Sequence, residues 1–116
     1  MARVLLASDD LNARARVLAA AEALGIEMVE APSTGYRSRL AGADLLILDL
    51  DRGREAALEE LAEAITAGET PDEVVGFLSH VDGALARAAR EAGCRAVARG
   101  KFWSTLPEIL GSADTS

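Results

Sequence analysis

Ala43-Asp44-Leu45-Leu46-Ile47-Leu48-Asp49-Leu50-Asp51 carries four consecutive large aliphatics between aspartates. Such a run is too short for a helix core and suits a strand buried on both faces, as in a parallel sheet. Asp49 then falls where the strand leaves the sheet. In open α/β folds, ligands and chemistry collect at the carboxyl ends of the strands, so Asp49 is the first functional candidate.

Similar runs lie on either side. Residues 4–7 (Val-Leu-Leu-Ala) form a short apolar strand ending at Ser8-Asp9-Asp10, and residues 74–78 (Val-Val-Gly-Phe-Leu) form another ending at Ser79-His80. Residues 26–31 and 96–98 are weaker strand candidates. Between them, residues 11–24 are expected to form a helix whose buried stripe includes Leu11, Ala15 and Leu18 with Val17, Ala20, Ala21 and Leu24, stopped by Gly25. Residues 54–67 carry Leu58, Leu61 and Ile65 at helical spacing. Residues 83–92 place Leu85, Ala88, Ala89 and Ala92 on one face, and residues 102–110 form a short last helix. Strands alternating with helices imply right-handed crossovers and a parallel sheet covered on both sides, an α/β fold with three α/β/α layers. A single domain over residues 1–110 is expected, with residues 111–116 as a flexible tail.

Composition narrows the function classes. The chain has 116 residues, half of them hydrophobic, which fits one core. A net charge of −7 opposes the phosphate attraction that dominates nucleic-acid binding, and the eleven Arg and one Lys form no basic patch. The Arg and Ala bias is attributed to genome composition. One cysteine, Cys94, excludes an internal disulfide and a Cys-based zinc site and is read as buried packing in a reducing, cytoplasmic compartment. No apolar stretch is long enough to span a membrane or serve as a signal-peptide core.

The ends of the first, third and fourth strands would bring Asp9, Asp10, Asp49 and Ser79 to one crevice. Two carboxylates about 5 Å apart repel by roughly 3 kcal/mol at an effective dielectric near 20, so the cluster calls for a cation such as Mg²⁺. With that charge neutralised, Asp49 can act as a nucleophile toward a phosphoryl group, and the Ser79 hydroxyl can bond a phosphoryl oxygen.

On these residues the chain resembles the receiver domain of two-component response regulators along essentially its whole length. Residues 43–50 resemble that family's phosphoacceptor strand, Asp9-Asp10 part of its acidic loop, and Ser79 its hydroxyl residue. The resemblance implies a doubly wound five-stranded sheet of order 2-1-3-4-5, the flavodoxin-like topology for which a receiver is a standard example. It implies Asp49 as the phosphorylation site, with Asp9, Asp49 and Asp51, the last through its carbonyl, as Mg²⁺ contacts and Asp10 as a partial substitute. A sensor kinase or other signalling protein is the implied partner. With only a short tail after residue 110, a stand-alone receiver that signals through a separate partner or a dimer is expected.

The departures from the family pattern are chemical. Ser8 stands at the first acid, Gly100 at the usual active-site lysine, Lys101 where a proline follows it, Val97 at the switch aromatic and Gly53 at the proline after the phosphoacceptor. Arg99 or Lys101 is a candidate replacement cation, and His80 a candidate gate beside the phosphoryl path. The expectation is a degenerate receiver, or pseudoreceiver, that is not an enzyme and acts mainly through protein contact. Two alternatives stay open: a haloacid-dehalogenase-like phosphatase, because Asp49-Leu50-Asp51 resembles that family's first motif, and a flavodoxin-like small-ligand module. Adjacent Phe102 and Trp103, near Arg99, Lys101 and Pro107, are the candidate partner surface, with a homodimer through the last strand and helix as one use of it.

Overall fold

The computed structural model describes residues 2–51, 53–79 and 83–113. Its elements follow in the order β1 (Arg3–Ala7), α1 (Leu11–Ala23), β2 (Glu27–Ala31), β3 (Leu45–Asp49), α2 (Arg54–Thr66), β4 (Glu73–Leu78), α3 (Gly83–Glu91), β5 (Arg95–Ala98) and α4 (Arg99–Ala113). All five strands are parallel, in the order β2-β1-β3-β4-β5. The central aliphatic run is the middle strand, with all five residues of β3 buried. Burying each of its leucines and Ile47 is worth about 1.5–3 kcal/mol.

Strand alternation divides the core into two layers. Val4, Leu6, Leu45, Ile47, Val75 and Phe77 face α1 and α4. Leu5, Ala7, Leu46, Leu48, Val74 and Leu78 face α2 and α3. Asp49, opposite Phe77 in the β3–β4 register, ends the row that faces α1 and α4.

Helix phases differ from the periodicity reading on all three of α1, α2 and α3, most plainly on α1. Helix α1 buries Ala13, Val17 and Ala21, whereas Leu11, Leu18 and Leu24 are 77%, 38% and 44% exposed. Polar contacts at its N-terminal end set this rotation. Asp10 caps the helix by accepting from the N–H groups of Asn12 and Ala13, and Arg14 donates to the carbonyls of Ser8 and Ala31. The small residues then lie against the sheet. On α2, Ile65 is 40% exposed while Ala57, Leu58, Leu61 and Ala64 are buried. On α3 only Leu85 and Ala89 of the expected stripe are buried.

No α-helix joins β2 to β3; a single 3₁₀ turn, Arg37–Arg39, makes the crossing. Tyr36 and Leu40 fill the space beside α2, and the Tyr36 hydroxyl donates to the carbonyl of Ala57 at 2.6 Å. Burial, with Glu60 and Cys94 nearby, raises the Tyr36 pKa, so the phenol stays a donor. Glu60 fixes the turn from α2, accepting from the N–H groups of Gly35 at 2.6 Å and Arg37 at 2.8 Å. The last helix begins directly after β5, passes through Pro107 and runs to Ala113, which is buried.

Candidate functional site

Four strand ends meet at the carboxyl edge of the sheet. Asp49 is 2% exposed, and both of its carboxylate oxygens are occupied. The Ser8 hydroxyl donates to Oδ2 at 2.8 Å, and the N–H of Asp51 donates to Oδ1 at 3.0 Å. Ser8 is fully buried and also accepts from the N–H of Asp10 at 3.1 Å. A hydroxyl at this position therefore donates to Asp49, where a second carboxylate would repel it.

Asp10 uses its two oxygens differently. Oδ1 accepts from Asn12 at 2.9 Å and Ala13 at 3.3 Å, while Oδ2 accepts from Arg99 Nη2 at 2.8 Å. Arg99 turns its other terminal nitrogen, Nη1, to Asp51 Oδ2. Asp51 also accepts from Ser79, through the N–H at 2.6 Å and the hydroxyl at 3.0 Å. One guanidinium thus bridges two carboxylates that follow different strands. Burial opposes the charge on both acids. For Asp10 the Ala13 and Asn12 amides and Arg99 outweigh it, and for Asp51 the Ser79 N–H and hydroxyl and Arg99 do; both carboxyls are held below their ordinary range.

The sequence candidates separate accordingly. Asp10, Asp49, Asp51, Ser79 and Arg99 are brought together. Asp9 is turned away: it is exposed, its Oδ1 accepts from the N–H of Ser33 at 3.3 Å, and its own N–H donates to the Ser33 hydroxyl. This corrects its expected place in the acidic pocket, because the loop after β1 leans toward the end of β2. Lys101 is also outside the pocket. Two residues further along a helix lies about 200° around its axis from Arg99, and Lys101 instead lines a groove of about 410 Å³ with Glu73, Arg95 and Glu108. The two side chains diverge in this way because α4 already begins at Arg99. His80 lies outside the described residues.

Phe102 does not form a surface. It is fully buried and stacks on Phe77 with ring centroids 4.5 Å apart. Trp103 is half-buried, edge-on to Phe102 at 4.9 Å and 5.7 Å from Phe77. Both adjacent aromatics reach Phe77, Phe102 by stacking and Trp103 from the rim. Arg16 of α1 lies 4.0 Å over the Trp103 ring, and Arg99 lies 5.0 Å from the Phe77 centroid. The bridging role of Arg99 and the donation from Ser8 were not readable as contacts, although Arg99 was identifiable as a nearby cation.

The residues present fit a divalent metal poorly. Every carboxylate oxygen of Asp10, Asp49 and Asp51 already accepts a hydrogen bond, and the cation among them is the guanidinium. Among the described residues, no group of three or more Asp, Glu, His or Cys side chains is arranged to hold a metal ion.

A five-stranded parallel sheet in the order 2-1-3-4-5, with an aspartate closing its middle strand, is the receiver fold of response regulators, and this chain has that fold. A response regulator from Thermotoga maritima superposes with a TM-score of 0.79 at 19% identity, covering 100% of this chain and 99% of that one. The Vibrio cholerae chemotaxis protein CheY4 gives 0.81 at 16% identity over 97% and 98% of the two chains. The isolated REC domain of RcsB from Salmonella enterica serovar Typhimurium gives 0.77 at 14%, covering 98% of this chain and 88% of that domain. No protein-family model and no curated protein sequence matches the chain.

Proposed function

We propose that this chain is a receiver-like signal-transduction domain that acts by protein–protein contact, its aspartate pocket held by internal bonds and not by phosphoryl transfer to Asp49. The state of Asp49 carries this reading. A nucleophile must present a free lone pair in line with the incoming phosphorus. Asp49 is buried, and each of its oxygens is engaged, one by the Ser8 hydroxyl and one by the Asp51 N–H. Each oxygen keeps a second lone pair, but attack would require opening a path to the buried carboxylate and turning that lone pair toward the phosphorus. The partner in this reading is a signalling protein that binds irrespective of phosphate, and the setting is cytoplasmic. None of the helices formed by the described residues is long and apolar enough to cross a membrane.

The phosphatase alternative finds less support. There the second aspartate must deliver a proton, whereas Ser79 and Arg99 hold the Asp51 carboxyl below its ordinary range. The test of the proposed reading is incubation with acetyl phosphate and Mg²⁺, followed by intact-mass measurement. No phosphoryl adduct is expected. A stoichiometric adduct that disappears in Asp49→Asn would overturn the reading, and multiple-turnover phosphate release would favour a phosphatase.

A further inference from the structure

We infer that Arg99 is a built-in cation: its guanidinium takes the charge-neutralising role of a divalent ion between Asp10 and Asp51, making the pocket indifferent to Mg²⁺ and tying its state to Trp103. The inference deepens the function proposed above and rests on it. Geometry is the first support. Arg99 opens α4 after β5, and its two terminal nitrogens reach one acid after β1 and another after β3, so a single side chain fastens three strand ends. A planar fork suits this task because each nitrogen can serve a separate carboxylate, which a point charge such as Lys cannot match.

Ligand accounting is the second support. All six oxygens of Asp10, Asp49 and Asp51 accept from Ser8, Asn12, Ala13, Asp51, Ser79 or Arg99. Mg²⁺ sheds its water reluctantly and needs near-octahedral oxygen ligands. Here it would have to displace a tethered guanidinium that no dilution removes. Placement over the aromatic rings is the third. The Arg99 guanidinium carbon is 5.0 Å from the Phe77 ring and 6.0 Å from that of Trp103. Release of Arg99 therefore changes the field at the only tryptophan of the chain.

The experiment is a Mg²⁺ titration at low ionic strength of the full chain, Arg99→Met and Arg99→Lys, following Trp103 emission and the thermal midpoint. The unsubstituted chain should show no saturable response. Arg99→Met, which leaves Asp10 and Asp51 without their cation, should acquire one, with a midpoint rise of about 5 °C near saturation. Adding Asp51→Asn should remove it. A saturable response of the unsubstituted chain, or none in a folded Arg99→Met, overturns the assignment. Should Arg99→Met not fold, Arg99→Lys decides: a Mg²⁺ response there but not in the unsubstituted chain supports the inference, and any other result sinks it. The acetyl phosphate assay separates the two readings. An Asp49 adduct without a Mg²⁺ response removes the proposed function alone, and a Mg²⁺ response without an adduct removes only the role of Arg99.

Discussion

Asp49 is buried at the end of β3, and its nearest hydrogen-bond partner is a hydroxyl. Ser8→Ala removes the donor to Asp49 Oδ2 and leaves a buried acceptor unpaired, which should cost about 1–3 kcal/mol in denaturant unfolding. An unchanged midpoint would mean that water replaces the hydroxyl without loss. The aspartate itself was readable from its place after four aliphatics, because a buried strand must end and its first polar residue marks the edge of the sheet. The partners of Asp49 were not, since Ser8 and Asp49 are 41 residues apart and meet only through strand pairing. Asp9 and Asp10 illustrate the same limit. Adjacent and chemically identical, they face different strands once Asp10 caps α1, and no local pattern distinguishes them in advance.

At the scale of elements, β4 depends on a glycine in its middle. A Cβ added to Gly76 would lie 2.6 Å from Leu50 Cδ1 and 2.8 Å from Cys94 Sγ, and packing of those two side chains over the strand fills its place. Gly76→Ala should therefore destabilise the domain by about 1–3 kcal/mol, and Leu50→Val should recover part of that loss in the double variant. Strict additivity of the two changes would contradict this contact. Cys94 is part of the same packing; burial pushes its thiol pKa up to about 12, which suits a hydrophobe better than a nucleophile. Helix α1 supplies a second comparison. Leu11→Gln should alter stability by no more than about 0.5 kcal/mol, whereas Leu61→Ala on α2 should cost about 2–5 kcal/mol. Similar costs would place Leu11 back in the core, where the periodicity first put it. Helix existence was legible from spacing, but rotation about the helix axis was decided by Arg14 and the Asp10 cap.

For the whole molecule, Arg99 joins β1, β3 and β5 through acids whose folded pKa values are depressed. A carboxyl depressed on folding adds stability above its unfolded value of about 4, and that stability is lost as pH falls through the folded value. Unfolding free energy should thus decline below about pH 4, with a shallower slope in Asp10→Asn/Asp51→Asn. An identical slope in that variant would show that other carboxylates govern acid unfolding.

The burial of β3 and the position of Asp49 at its end were determined by the sequence alone, because a continuous aliphatic run must be buried on both faces and its first polar residue marks the sheet edge, whereas the strand order was implied by the resemblance to receivers. Tertiary structure decided the rest. Which acid faces the cluster, which of Arg99 and Lys101 reaches it, and whether Phe102 turns inward depend on the course of the loop after β1 and on the rotation of the helices about their axes. That rotation is set by side chains distant in sequence: Arg14 bonds back to the β1 and β2 ends, Asp10 and Asp51 hold the first residue of α4, and Phe77 receives the ring of Phe102.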